Sequence, residues 1–244
     1  MMIKKVAFIL TLIMCFSSGV FAREQTIQQI NLSNPPALAD YRLDYAEMRD
    51  IANATKLAHR AFYVPSVGPD AQWFDAVKKG NLAEVKKRVS AGQHLEAKDE
   101  SMFGQTALGW AAFIGYLDVV EYLVNQGADL FATDRADVKN VLKSAVLGKN
   151  VEVVKYIYPK LKGQVEINDQ KLDNEGESLL MIAASNNRID IVKYLIENGA
   201  ELNLVSQQLD QSALSYACGK GHQDMVKLLI DAGAVNHRIN SPGC

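Results

Sequence analysis

Apolar and polar residues follow helical spacing through most of this chain, in short segments that come in pairs. In the segment from Leu117, the residues Leu117, Val120, Leu123 and Val124 fall at i, i+3, i+6 and i+7, and Glu121 lies off that stripe. This is the pattern of a helix that buries one face. The segment just before it carries two small residues, Ala111 and Ala112, and the pair returns as Ala183/Ala184 and Ala217/Cys218. Small side chains there allow neighbouring helices to stack closely. Gly127, Gly199 and Gly233 sit just past the last apolar residues, where a helix ends cheaply in a left-handed glycine. The whole phrase from Thr106 to Leu130, TALGWAAFIGYLDVVEYLVNQGADL, recurs from Ser178 and Ser212 and, degraded, from Asn140. The steps are about 34, 38 and 34 residues, the period of a two-helix solenoid unit. A single helix pair cannot bury its apolar face alone, so the units must stack into one continuous core, with end units altered to face water.

The phrase resembles the ankyrin repeat, whose first helix opens T-P-L-H and whose second closes with G-A-D. Here the opening slot reads T-A-L-G, N-V-L-K, S-L-L-M and S-A-L-S, without the Pro or His. The resemblance covers Asp70 to about Asn240, roughly five units, and implies an all-α ankyrin-repeat solenoid. In the first unit Arg88 replaces an apolar residue and His94 the aspartate of G-A-D, as suits an end unit. In the third, Lys149 and Asn150 replace the Gly and its follower, and Pro159 is expected to cut the second helix short. The stretch Lys160 to Leu172 is about four residues longer than its counterpart and predicts a longer loop. With this register, Gly127→Ala is expected to destabilise more than Gly148→Ala.

The resemblance also implies where a partner binds: on a groove lined by hairpin tips and by the two residues after the small pair. Transferred to this sequence, those places give Met102, Phe103, Gln105, Phe113 and Ile114 in the second unit, and Ala136, Asp137, Lys139 and Leu147 in the third. They give Asn174, Glu175, Glu177, Ser185 and Asn186 in the fourth, and Gln208, Leu209 and Gln211 in the fifth. Met102, Phe103, Phe113 and Ile114 are large apolar residues at positions expected to meet water. Such a group predicts a hydrophobic anchor for a protein partner, unless the preceding hairpin or an N-terminal helix covers it.

Two segments precede the repeats. Residues 1–22 have Lys4 and Lys5, an apolar run from Val6 to Phe16, and Val20 and Ala22 ahead of Arg23, the three-part pattern of a signal peptide. The run is too short to span a bilayer, and Met14 before Cys15 departs from a lipoprotein box. The leader predicts an exported chain, periplasmic in a bacterium, with no membrane span after cleavage. In the segment 23–69, Asn34-Pro35-Pro36 opens a predicted helix over 37–62 with Leu38, Tyr41, Tyr45, Met48, Ile51 and Phe62 to one side. Its acids come early (Asp40, Asp44, Glu47, Asp50) and its bases late (Lys56, His59, Arg60), matching the helix dipole. Pro65 to Pro69 ends it. This helix either caps the open end of the solenoid, docks on a partner, or folds back over the groove. Residues 241–244 form a short tail.

Charge and chemistry then narrow the function. Of 26 basic and 28 acidic residues, the leader takes two bases, which leaves a formal charge of about −4 and no clustered basic surface for nucleic acid. Beyond the leader the cysteines are Cys218 and Cys244; an oxidising compartment permits a bond, but Cys218 is expected to pack as a small hydrophobe and Cys244 to be a free tail thiol. His59, His94, His222 and His237 have no metal-ligand spacing, and there is no G-x-S-x-G, P-loop or G-x-G-x-x-G. The sequence therefore predicts no cofactor, no metal and no enzyme. It predicts a protein-binding module: a scaffold or adaptor, or else an antidote that occludes a toxin, or a secreted effector.

Overall fold

A computed structural model describes residues 66–135, 138–172 and 174–244. The leader 1–22, the helix expected over 37–62, and Ala136, Asp137 and Asp173 lie outside the described residues. Among the described residues five helix pairs follow one another: α1 (Ala71–Lys78) with α2 (Leu82–Ser90), α3 (Ala107–Ile114) with α4 (Leu117–Asn125), and α5 (Val141–Leu147) with α6 (Val151–Leu161). The last two are α7 (Leu179–Ser185) with α8 (Ile189–Glu197), and α9 (Ala213–Gly219) with α10 (Gln223–Asp231). First helices stack on first helices in chain order, and second helices line one side of that row. One apolar core runs unbroken from Trp73 to Ala234.

The opening residue of each repeat phrase is a helix cap. Thr106, Asn140, Ser178 and Ser212 accept hydrogen bonds from the amides of Gly109, Lys143, Met181 and Ser215, and Ser215 Oγ in turn accepts from the Ser212 amide. Each such cap stabilises its helix by about 1 kcal/mol. Ala111, Ala112, Ala183, Ala184 and Ala217 are buried in the contacts that their size permits. In α4 the buried stripe is Val119, Val120 and Leu123, with Leu117 and Val124 half covered beside it.

Polar side chains stitch the units together at a fixed place. Tyr116 Oη donates to Lys78 O at 3.2 Å, Asn150 Nδ2 to Gly115 O at 2.8 Å, and Arg188 Nε to Leu147 O at 3.3 Å. His222 Nε2 lies 3.3 Å from Ser185 O. Each residue starts a second helix and reaches the end of the first helix of the preceding unit. Four different side chains solve one problem, the helix-end carbonyl that has no partner within its own helix.

Three expectations are corrected. Pro159 does not cut α6 short: the helix contains it and has 11 residues against nine in α4. Two of the extra four residues of this unit therefore lengthen the helix and two the loop. Ile157 and Leu161, both at 0% exposure, anchor the turn around the proline, and Tyr158 packs edge-on against Tyr194 at 6.4 Å. Second, Gly148 is not a tolerant position. A Cβ there would stand 2.5 Å from Phe113 O and 3.0 Å from Ala145 O, whereas one at Gly127 meets nothing within 4 Å and suffers only from its φ of +90°. Third, Cys218 and Cys244 form a disulfide. The tail is thus bound to α9 rather than loose, and the hairpin closed by the Asn236–Ser241 bridge lies between the two cysteines in sequence.

Candidate functional site

The structure divides the predicted groove residues into two groups. Phe103, Lys139 and Leu209 are exposed, and Glu175 is half-buried. Met102, Gln105, Phe113, Ile114, Leu147 and Glu177 are buried. Phe113 and Ile114, expected at the water-facing surface, are both at 0% exposure within the continuous core. The reason is the stacking of α3 between α1 and α5, with the Trp110 ring 6.1 Å from that of Phe113. Gln105 is committed locally: its Oε1 accepts from the Thr106 amide, and its Nε2 donates to Ser144 Oγ at 3.4 Å. Gly109 makes room for it, since a Cβ there would lie 2.1 Å from Gln105 Oε1. The loss of the usual histidine from this slot thus has a local cause.

What stays exposed is the edge formed by the hairpin tips. Antiparallel bridges Asp99–Gln105, Ser206–Gln211 and Asn236–Ser241 close three tips. The last two place Asp210 (φ 49°) and Asn240 (φ 51°) in the left-handed region just before the closing residue, whereas the first tip, one residue longer, has Gly104 (φ 74°) there and Phe103 (φ 54°) left-handed as well. Asp and Asn accept that conformation readily, while a bulky aromatic does so at a cost of about 1–3 kcal/mol. Phe103 nevertheless holds it with its side chain 41% exposed, and its carbonyl accepts from the Arg135 amide at 2.8 Å. Beside it Arg135 forms a two-pronged pair with Glu100, Nη2 to Oε2 at 2.6 Å and Nη1 to Oε1 at 3.3 Å. That bond holds the Glu100 carboxyl below its usual range. At the other end Leu209 and Ile239, each next to the left-handed residue, are 36% and 54% exposed. Asp210 accepts from Arg238 Nε at 3.1 Å and contacts His237 Nε2 at 3.0 Å.

Under the first tip lies a buried charge network. Lys78 Nζ stands 2.7 Å from Asp99 Oδ2, with side-chain exposures of 2% and 0%. The same carboxylate accepts from Trp110 Nε1 at 3.1 Å, Ser66 Oγ at 2.9 Å, and the amide and hydroxyl of Ser101. Burial works against the Asp99 carboxylate, but the Lys78 ammonium and the hydrogen bonds from Lys78, Ser101 and Ser66 outweigh it and hold the carboxyl below its usual range. The network fixes the hairpin that carries Phe103. Among the described residues no group of three or more His, Cys, Asp or Glu is arranged to hold a metal, and no helix is long and apolar enough to cross a membrane.

Sequence reasoning missed Ile239, because tip positions were transferred only as far as the hairpin before the fifth helix pair and not to the one after it; the signal was the echo of Gln208-Leu209-Asp210 in Arg238-Ile239-Asn240. It also missed Phe131, which is 40% exposed. Glu96 and Asn203, four residues past a helix-ending glycine, accept the amides of Asp129 and Val235 from the next unit, and Asn168 accepts that of Glu201. Phe131 holds the same place after Gly127 and interrupts this ladder.

The family model for ankyrin repeats, in three copies, matches residues 73–171 and 159–241. The chain belongs to the ankyrin-repeat family, and its repeats make it a protein–protein interaction module. It is similar to the palmitoyltransferase ZDHHC17 of Homo sapiens, 38% identical over 90 residues, which is 36% of this chain and 14% of that protein. It is similar to the palmitoyltransferase ZDHHC13 of Mus musculus, 33% identical over 114 residues, 44% of this chain and 18% of that protein. Against the ankyrin repeat and KH domain-containing protein mask-1 of Caenorhabditis elegans the identity is 25% over 156 residues, 54% of this chain and 6% of that protein. The chain thus spans less than a fifth of the length of these relatives.

Proposed function

We propose that this chain is an exported, periplasmic ankyrin-repeat scaffold that binds one protein partner through the edge formed by its hairpin tips, with Phe103 as the principal anchor. The observation that carries the reading is Phe103, an exposed phenylalanine in a left-handed position of a tip one residue longer than the other two, where the place of Asp210 and Asn240 is already taken by Gly104. The fold alone is better served by Asn or Asp there, so the exposed ring is held against a local cost. An aromatic beside an arginine is also the composition in which interfaces concentrate their energy. Rigid stacking of the units keeps the edge preformed and lowers the ordering cost of association. Export is supported by the leader pattern in residues 1–22 and by the Cys218–Cys244 bond, which suits an oxidising compartment.

Photo-crosslinking in the native cell tests both parts. A benzoylphenylalanine at position 103 or 209 should give one protein adduct in the periplasmic fraction, while the same group at Lys193, exposed on α8, should give none. The intact mass of the chain should begin at Arg23. A full-length product in the cytoplasm would overturn the location. Adducts equal at all three positions would overturn the surface.

A further inference from the structure

We propose that the last hairpin is fastened by oxidation: forming the Cys218–Cys244 bond fixes the arm 241–244 and the turn that carries Ile239, so this end of the tip edge is completed only where thiols oxidise. The evidence begins with how the tips are held. In the tips closed by Asp99–Gln105 and Ser206–Gln211, the closing arm runs straight into a capped first helix, Thr106 opening α3 and Ser212 opening α9. Burial of that helix holds the arm. After Ser241 no helix follows among the described residues. This arm is held instead by Asn236, whose amide donates to Ser241 O at 3.0 Å and whose Nδ2 donates to Gly243 O at 3.1 Å, and by the bond from Cys244 to Cys218 in α9. The disulfide does for this arm what a buried helix does for the others.

The opening arm of the same hairpin is held separately. Val235 donates its amide to Asn203 Oδ1 at 2.8 Å, and Arg238 and His237 reach Asp210 of the preceding tip. Without the disulfide, the closing arm and the turn come loose while the opening arm stays docked. An arm left with two hydrogen bonds and little burial lies at the fraying end of the stability range. Ile239, 54% exposed, sits on that turn, where its own amide and that of Asn240 donate to Asn236 O at 3.2 and 2.8 Å. Exposure also orders the chemistry, since Cys244 is exposed and Cys218 is half-buried against the core. The Cys244 thiolate attacks the disulfide of an oxidising dithiol carrier, which breaks that S–S bond and forms a mixed disulfide. The Cys218 thiolate then attacks Cys244 Sγ, and the carrier leaves as its dithiol with the two electrons and the two thiol protons. A reducing cytoplasm keeps both thiols free, so the tip is completed after export, a consequence that rests on the exported binding edge proposed above.

Hydrogen exchange read by mass spectrometry on the purified full chain, oxidised and reduced with dithiothreitol, tests the clasp without a partner. Peptides covering 236–241 should exchange about tenfold faster in the reduced chain. Cys244→Ser should reproduce that rise without reductant, and peptides covering the first tip, 99–105, should not change. Equal rates at 236–241 in both forms would overturn the proposal, because the arm would then be held without the bond. An equal rise at 99–105 would overturn it as well, because the bond would then support the whole fold rather than one tip. With oxidised glutathione, Cys244 in Cys218→Ser should form a mixed disulfide faster than Cys218 in Cys244→Ser; the reverse order would overturn the chemistry. Export is judged separately, by the intact mass and the fraction that holds the chain, and the tip surface by crosslinks from positions 103 and 209.

Discussion

Asp99 shows how much one residue governs. Replacing it with Asn leaves the Lys78 ammonium buried without its counter-charge, a change that costs about 3–5 kcal/mol in comparable pairs. Chemical denaturation of Asp99→Asn should show that loss, and Lys78→Met with Asp99→Asn should lose less than the two single changes together. The acid dependence follows from the depressed carboxyl. Its stabilisation is full above the unfolded-state value, near pH 4, and is lost as pH falls through the lower folded value, because the unfolded chain then binds the proton first. Acid titration of the wild type should therefore lose stability below about pH 4 more steeply than the Asn variant. None of this was legible in the sequence, where nothing marks Lys78 and Asp99 as partners. Pairing across 21 residues through a serine at position 66 has no local signature.

Helix pairs and their stops were legible, because caps, small pairs and terminal glycines are local and repeat at a fixed period. Gly148 was not, because its constraint comes from the neighbouring unit. Its missing Cβ lets α5 approach the carbonyls of Ala112 and Phe113 in α3. Gly148→Ala should therefore cost more, about 2 kcal/mol, than Gly127→Ala at about 1 kcal/mol, and thermal melts will rank them. Pro159 misled for a related reason. Local propensity argues against it inside a helix, but Leu161 buries fully and draws the helix on. The disulfide joins an element to its tail across 26 residues. Replacing both cysteines with serine should cost about 3 kcal/mol and should raise amide exchange in α9 and α10 while sparing α3, as expected where units couple only to neighbours.

At the scale of the whole molecule, the repeats stack on one continuous core and leave residues of the hairpin tips exposed. Fold class and unit boundaries came from the period; the site did not, because burial at the groove positions depends on how the first helices of neighbouring units stack. Phe113 and Ile114 carried the right chemistry for an anchor but are core residues, while Phe103 on the same unit is exposed. Phe103→Asn separates structure from binding at that tip. It replaces a strained aromatic with a residue type that accepts the left-handed region readily, so a binding role predicts an unchanged or higher melting temperature together with affinity for the crosslinked partner weakened tenfold or more. A melting temperature lower by several degrees with unchanged affinity would make Phe103 a structural residue and would contradict the tip as the binding surface.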